Sequence, residues 1–201
     1  MSRMKLAMLG GSFNPIHNAH VMLAERFEEK LQFDKVLVMP SKIPPHKSIT
    51  ELVSEEHRLN MCRLACENFE KAEVSEIELH RSGASYTVDT LIALNQMYGE
   101  SEIYLIVGAD MYLTLESWKN ASKIFELATI CTAPRDESDY EILLNYSKKL
   151  NIIGAKSIIL KEHIADISST DIRQILKDGG DIGSFVCPKV KEYIIKHKLY
   201  V

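Results

Sequence analysis

Lys5-Leu6-Ala7-Met8-Leu9-Gly10-Gly11-Ser12-Phe13-Asn14-Pro15-Ile16-His17-Asn18-Ala19-His20 is the stretch on which the fold of this chain turns. Lys5 to Leu9 is short and apolar enough to be a buried strand, and the two glycines after it lack the Cβ atoms that would hold the backbone away from a ligand. From His17 to Phe33 the residues Ala24, Phe27 and Leu31 fall at helical spacing, which places His17 and His20 on one face of a first helical turn. An anion there would meet main-chain N–H groups, the positive end of a helix dipole and two imidazoles. His20 also continues the stripe of Leu23, Ala24, Phe27 and Leu31, so a core histidine is the competing reading. Two histidines three residues apart, directly after a glycine turn at the carboxyl end of a first strand, stand where open α/β sheets bind ligands, and this favours a phosphate site. The stretch lacks the third glycine and the spacing of the dinucleotide fingerprint and does not match the Walker pattern, which disfavours a dehydrogenase or a P-loop kinase.

Apolar, β-branched runs recur at Lys35 to Met39, Ile103 to Val107, Ala128 to Thr132 and Ser157 to Leu160, with a weaker one near Glu73 to Leu79. Amphipathic stretches of helical length separate them, the alternation expected of a parallel sheet with helices on both faces. Pro40 to Ser54 carries Pro44, Pro45, Lys42, His46 and Lys47; it is too long for a simple connection and reads as a lid.

The length of 201 residues is that of one domain with a substantial core. A net charge of −4 argues against a nucleic-acid surface and requires any nucleotide site to be locally basic. No apolar run approaches the roughly 20 residues of a membrane span, and Leu6 to Leu9 meets its glycines too soon for a signal-peptide core. The expected location is cytoplasmic, with no membrane partner. Cys62, Cys66, Cys131 and Cys187 contain no C-x-x-C pair and read as buried structural thiols, so no protein metal site is expected.

Ile167-Ser168-Ser169-Thr170-Asp171-Ile172-Arg173 opens another helix, which runs to Gly179-Gly180. Ser168 and Asp171 have the spacing of a capping pair. Arg173 is harder to explain by capping, because a cation in the first turn opposes the helix dipole at a cost of about 0.3–1 kcal/mol. Its side chain leans toward the N-terminus, over Ser169 and Thr170, and a bound anion would remove the conflict. Ser85-Tyr86-Thr87 begins a further helix, with Ser85 as the expected cap and Val88, Leu91, Ile92 and Tyr98 inward. Gly108-Ala109-Asp110 follows a strand, and Trp118, the sole tryptophan, comes shortly after in a polar loop where it could stack on a planar heterocycle.

The first of these segments resembles the Gly-rich, His-x-Gly-His signature of the nucleotidyltransferase superfamily, with Ala19 in place of the usual glycine and Asn14 where an aspartate is common. The 167–173 segment is similar to that superfamily's Ile-Ser-Ser-Thr-x-Ile-Arg signature. With Pro44-Pro45-His46-Lys47, Ser85-Tyr86-Thr87 and the Gly108 and Trp118 segments in this order, nearly the whole chain resembles the bacterial nicotinate-mononucleotide adenylyltransferase family. Ser41 replaces a frequent asparagine, and Arg135-Asp136-Glu137 stands where the family has Arg-Pro-Gly.

The resemblance implies a Rossmann-like, doubly wound, three-layer α/β/α fold in a single domain over 1–201, with a small helical extension from about 166. It implies that Gly10, Gly11, Ser12, Phe13, His17, His20, Gly108, Asp110, Ile167, Ser168, Ser169, Thr170 and Arg173 hold ATP. His17, His20 and Arg173 would be catalytic, and Asn14, Lys47, Ser85, Tyr86, Thr87, Trp118 and Arg135 would surround nicotinate mononucleotide. The mononucleotide's phosphate would attack the α-phosphorus of ATP, with Mg2+ carried mainly by the phosphates, so that catalysis is in-line positioning plus charge stabilisation. The rival readings are a pantetheine-phosphate adenylyltransferase, which His17 and the chain length disfavour, and a non-catalytic nucleotide sensor. Whether the chain forms a homo-oligomer is left open by the sequence.

Overall fold

Successive side chains of a strand point to opposite faces, and in this chain both faces are buried. In β1 (Lys5–Gly11) Ala7 and Leu9 join one apolar cluster while Leu6 and Met8 join another; in β2 (Lys35–Pro40) Val36 and Val38 divide from Leu37 and Met39 in the same way. Each cluster needs its own helical cover. The computed structural model describes residues 3–44 and 52–201, and in it α1 (Asn18–Leu31), α2 (Glu55–Cys66), α7 (Ser169–Lys177) and α8 (Pro188–Lys196) contribute to the first cluster. The second is closed by α3 (Thr87–Tyr98), α4 (Ala109–Tyr112), α5 (Ala121–Leu127) and α6 (Asp139–Ile152).

The sheet is completed by β3 (Ala72–Val74), β4 (Glu102–Ile106), β5 (Ala128–Thr132) and β6 (Lys156–Ile159). All neighbouring strands are parallel, in the order β3-β2-β1-β4-β5-β6. The chain thus builds outward from β1 to β3 and then crosses back to add β4 on β1's other side. The alternating, doubly wound α/β architecture read from the sequence is the one observed.

Two local expectations are corrected. The weak run near Glu73 to Leu79 supplies only the end of the three-residue β3; the chain then turns, with the His80 N–H donating to the Glu76 carbonyl (3.1 Å), and the buried Glu78 carboxyl accepts from Thr90 Oγ1 (2.8 Å). In α3 the cap position belongs to Tyr86 rather than Ser85, and Ile92 is 36% exposed while Leu94 is fully buried.

Phe27 of α1 is completely buried against the sheet. Phe27→Ala is expected to lower unfolding stability by about 3–5 kcal/mol in denaturant titrations, since the sheet cannot collapse into the space left. A loss under 1 kcal/mol would contradict this packing.

Candidate active site

β1 ends where strand order reverses, so the connections after β1 and β4 run to different sides and leave a crevice between their carboxyl ends. Gly10 and Gly11 form its floor. A Cβ on Gly11 would lie 2.8 Å from Phe13 Cε1, and Phe13 is itself buried with a left-handed φ of 45°, so a side chain at Gly11 would have to displace a packed ring. Phe13 meets His20 edge-on at 5.1 Å between ring centroids, and the His17 ring lies against His20 at 3.7 Å.

His17 is the N-cap of α1, and its main-chain N–H donates to His20 Nδ1 (3.2 Å). A nitrogen that accepts this bond carries no proton. Neutral His20 therefore holds its proton on Nε2, where it is a donor. No acidic residue occupies the first turn of α1, so its dipole is left for a ligand.

α7 begins on the opposite wall. The Ser168 hydroxyl accepts from the Asp171 N–H (3.1 Å) and the Asp171 carboxylate accepts from the Ser168 N–H (2.9 Å), the reciprocal cap that the spacing predicted. The Ser168 hydroxyl, then its N–H, holds the Asp171 carboxyl below the usual aspartate range. Ser169 Oγ donates to the Pro15 carbonyl (2.8 Å) and Arg173 Nη1 to the Asn14 carbonyl (2.9 Å), tying α7 to the turn after β1. Arg173 leans back toward Thr170 Oγ1 (3.4 Å), as a helical side chain should.

A cavity of about 490 Å3 runs between these walls, within the usual range for small-molecule sites. Gly10, Gly11, Ser12, His17, His20, Gly108, Asp110 and Ile167 to Thr170 line it together with Ser85, Tyr86, Thr87, Trp118 and Arg135. Trp118 is fixed by its indole N–H, which donates to Thr114 Oγ1 (3.1 Å). Lys119 Nζ sits 4.0 Å from the Tyr86 ring centroid, and Arg135 pairs with Asp110 at 2.9 Å across the mouth. Phe13 lies beneath the floor, and Arg173 stands beside the lining residues. Asn14 faces away from the cavity: its Oδ1 accepts from the Val53 N–H (3.2 Å) and the Tyr200 hydroxyl (3.0 Å). Lys47 and His46 lie outside the described residues.

A cytidylyltransferase-like domain model matches residues 8–175. A protein of Lachnoclostridium phytofermentans named "Probable nicotinate-nucleotide adenylyltransferase" is 37% identical over 98% of this chain and 99% of its own length. A Synechococcus protein of the same name is 37% identical over 100% and 99%. This chain belongs to the nicotinate-nucleotide adenylyltransferase family. The nicotinic acid mononucleotide adenylyltransferase of Plasmodium falciparum, solved with NaAD, shares its fold at a TM-score of 0.80 and 23% identity, covering 98% of both chains.

Two buried charged residues in or next to this cavity were not foreseen. Glu78 lines the cavity yet is 3% exposed; burial raises its carboxyl above the usual range, against hydrogen bonds from Thr90 and Ser85 and the charge of Arg81. In sequence it sits in an alternation of Glu76, Ile77, Glu78 and Leu79 that reads as a solvated strand face. Arg58 is fully buried in α2, where its place on the face of Met61 and Cys62 was the available signal.

A raised folded-state pKa means the fold disfavours the ionised carboxyl, so wild type carries a penalty that grows as pH rises from the unfolded pKa through the folded one. Glu78→Gln lacks that penalty. The difference in Tm between Glu78→Gln and wild type should therefore become more positive from pH 4 to pH 8; a flat or falling difference would show that the carboxylate is well solvated.

Proposed function

We propose that this chain transfers the adenylyl group of ATP to nicotinate mononucleotide, forming nicotinate adenine dinucleotide and pyrophosphate. The observation that carries the reading is one cavity lined by a glycine turn, two histidines and the start of α7 together with a fixed indole and the start of α3. The names of its full-length relatives support the same reaction.

In this reading Gly10 to Phe13, His17 and His20 cradle the triphosphate, and Ile167 to Thr170, Gly108 and Asp110 hold the remainder of ATP. Arg173, held against the Asn14 carbonyl, adds positive charge beside the turn. The mononucleotide lies toward Ser85, Tyr86, Thr87, Trp118 and Arg135. Its 5′-phosphate oxygen attacks the α-phosphorus in line, the bond to the bridging oxygen breaks, and negative charge grows on the departing pyrophosphate. The acceptor phosphate is already ionised at neutral pH, so no general base is required. His20 Nε2–H and the cations stabilise the charge that develops.

Mg2+ enters this scheme with ATP. Among the described residues no three His, Cys, Asp or Glu side chains come together as a metal site. The two carboxylates that line the cavity are differently engaged, Asp110 by Arg135 and Glu78 by Thr90. The donor set fits an ion held by phosphate oxygens and water, with Asp110 the protein carboxylate at the mouth.

His20→Ala should lower kcat on the order of 100-fold while leaving ATP affinity within a few fold, because a donor aimed at developing charge acts mainly in the transition state. Unchanged turnover would remove His20 from the mechanism. Pyrophosphate release measured with nicotinate mononucleotide, its amide analogue and pantetheine phosphate tests the reaction itself. The acid should be preferred over the amide by roughly 100-fold in kcat/KM, since a carboxylate gains charge-assisted bonds from N–H groups near Tyr86 and Thr87 where a carboxamide would set NH2 against donors. Equal use of acid and amide would defeat the acid-specific assignment, and turnover with pantetheine phosphate alone would replace the reaction.

A further inference from the structure

Arg58 makes hydrogen bonds only to main-chain carbonyls. Nη1 donates to Ser41 O (2.6 Å) and Ser12 O (2.8 Å), Nε to Val53 O (3.3 Å) and Nη2 to Lys42 O (3.5 Å), and the side chain is 1% exposed. A buried guanidinium without a carboxylate partner is costly, so a local fold would gain more from an apolar residue of this size. Its acceptors come from two places that matter to the site: the turn after β1, and the chain on both sides of the segment that follows β2.

The peptide units involved extend the contact in both directions. The Ser41 carbonyl that Arg58 grips belongs to the same planar unit as the Lys42 N–H, and that N–H donates to Ser85 Oγ (3.0 Å). Ser85 and Glu78 both line the cavity. On the other side, the Ser41 N–H donates to the Gly11 carbonyl (2.8 Å), next to the Ser12 carbonyl that Arg58 also holds. Rotation of the Ser41–Lys42 peptide plane therefore moves the hydrogen bond that orients Ser85. Hydrogen bonds in series also polarise one another, so the loss of one weakens the next.

We propose that Arg58 is a positioning residue that couples the two halves of the site: through Ser12 it sets the turn that receives the triphosphate, and through the Ser41–Lys42 peptide it orients Ser85 on the acceptor side. It touches neither substrate. The inference rests on the adenylyl-transfer reading above and adds that the two substrate subsites share one mechanical anchor in α2.

Arg58→Lys keeps the charge and loses the planar fork, which a lysine cannot replace at several divergent carbonyls. In protein shown to be folded by circular dichroism and a cooperative melt, KM for ATP and KM for the mononucleotide should both rise about 10-fold or more. A folded variant in which either KM stays within twofold of wild type would overturn the coupling, since a merely structural arginine would lower Tm and leave both constants alone. A measurement on wild type covers the case in which the variant does not fold. With 15N-arginine-labelled protein, the slowly exchanging Nε–H signal of the buried guanidinium should shift when a non-hydrolysable ATP analogue binds and, separately, when nicotinate mononucleotide binds. A signal moved by only one ligand, or by neither although both bind, would overturn the proposal. Failure of wild type to release pyrophosphate would instead count against the reaction, which keeps the two claims separable.

Discussion

A parallel sheet whose winding reverses beside its first strand cannot cover the carboxyl ends of that strand and its new neighbour with the same connection. This constraint generates the cavity. Because β2 and β4 flank β1 on opposite sides, the chain leaving Gly11 and the chain leaving Ile106 diverge, and the turn after β1 becomes the floor of a crevice. The site is built from that crevice's walls: α1 starts at its edge, α7 is tied to the turn by Ser169 and Arg173, and Trp118 and the start of α3 join the lining.

The walls solve an electrostatic difficulty for a chain of net charge −4. Arg58 and Arg173 are each oriented by hydrogen bonds to main-chain carbonyl oxygens around the turn. Arg135 and Lys119 carry their own carboxylates, Asp110 and Asp89, at the more exposed rim. Basic side chains thus stand both beside the glycine turn and at the rim, the local positive character that an anion site needs in an acidic chain. Glu78 also lines the cavity, and burial pushes its carboxyl above the usual range against the opposing hydrogen bond from Thr90.

What was legible in the sequence was local. The strand run, the glycine pair and the His17–His20 spacing lie within the continuous segment Lys5 to His20, and Asp171 follows Ser168 by three positions; periodicity and spacing are sufficient for such features. The contacts that assemble the site are long-range. Arg173 meets an Asn14 carbonyl 159 positions away, Tyr200 reaches Asn14 Oδ1 across 186, and Arg58 gathers carbonyls from the turn after β1 and from both sides of the segment after β2. The acceptors for Arg173 and Arg58 are main-chain atoms, present at every residue, so no residue type marks them beforehand. Asn14, which the resemblance assigned to the mononucleotide, accepts through Oδ1 from Val53 and Tyr200, partners that lie 39 and 186 positions away and that local spacing does not reveal.

The central claim is that one crevice at the strand-order reversal holds both substrates end to end. A crystal structure of the chain with nicotinate adenine dinucleotide tests it most directly. The account predicts the dinucleotide's phosphates over Gly10 and Gly11 within hydrogen-bond reach of His20 Nε2, the adenosine against Ile167 to Thr170, and the nicotinate ring against Trp118. A dinucleotide bound in the reverse sense, or with its phosphates away from the glycine turn, would contradict it.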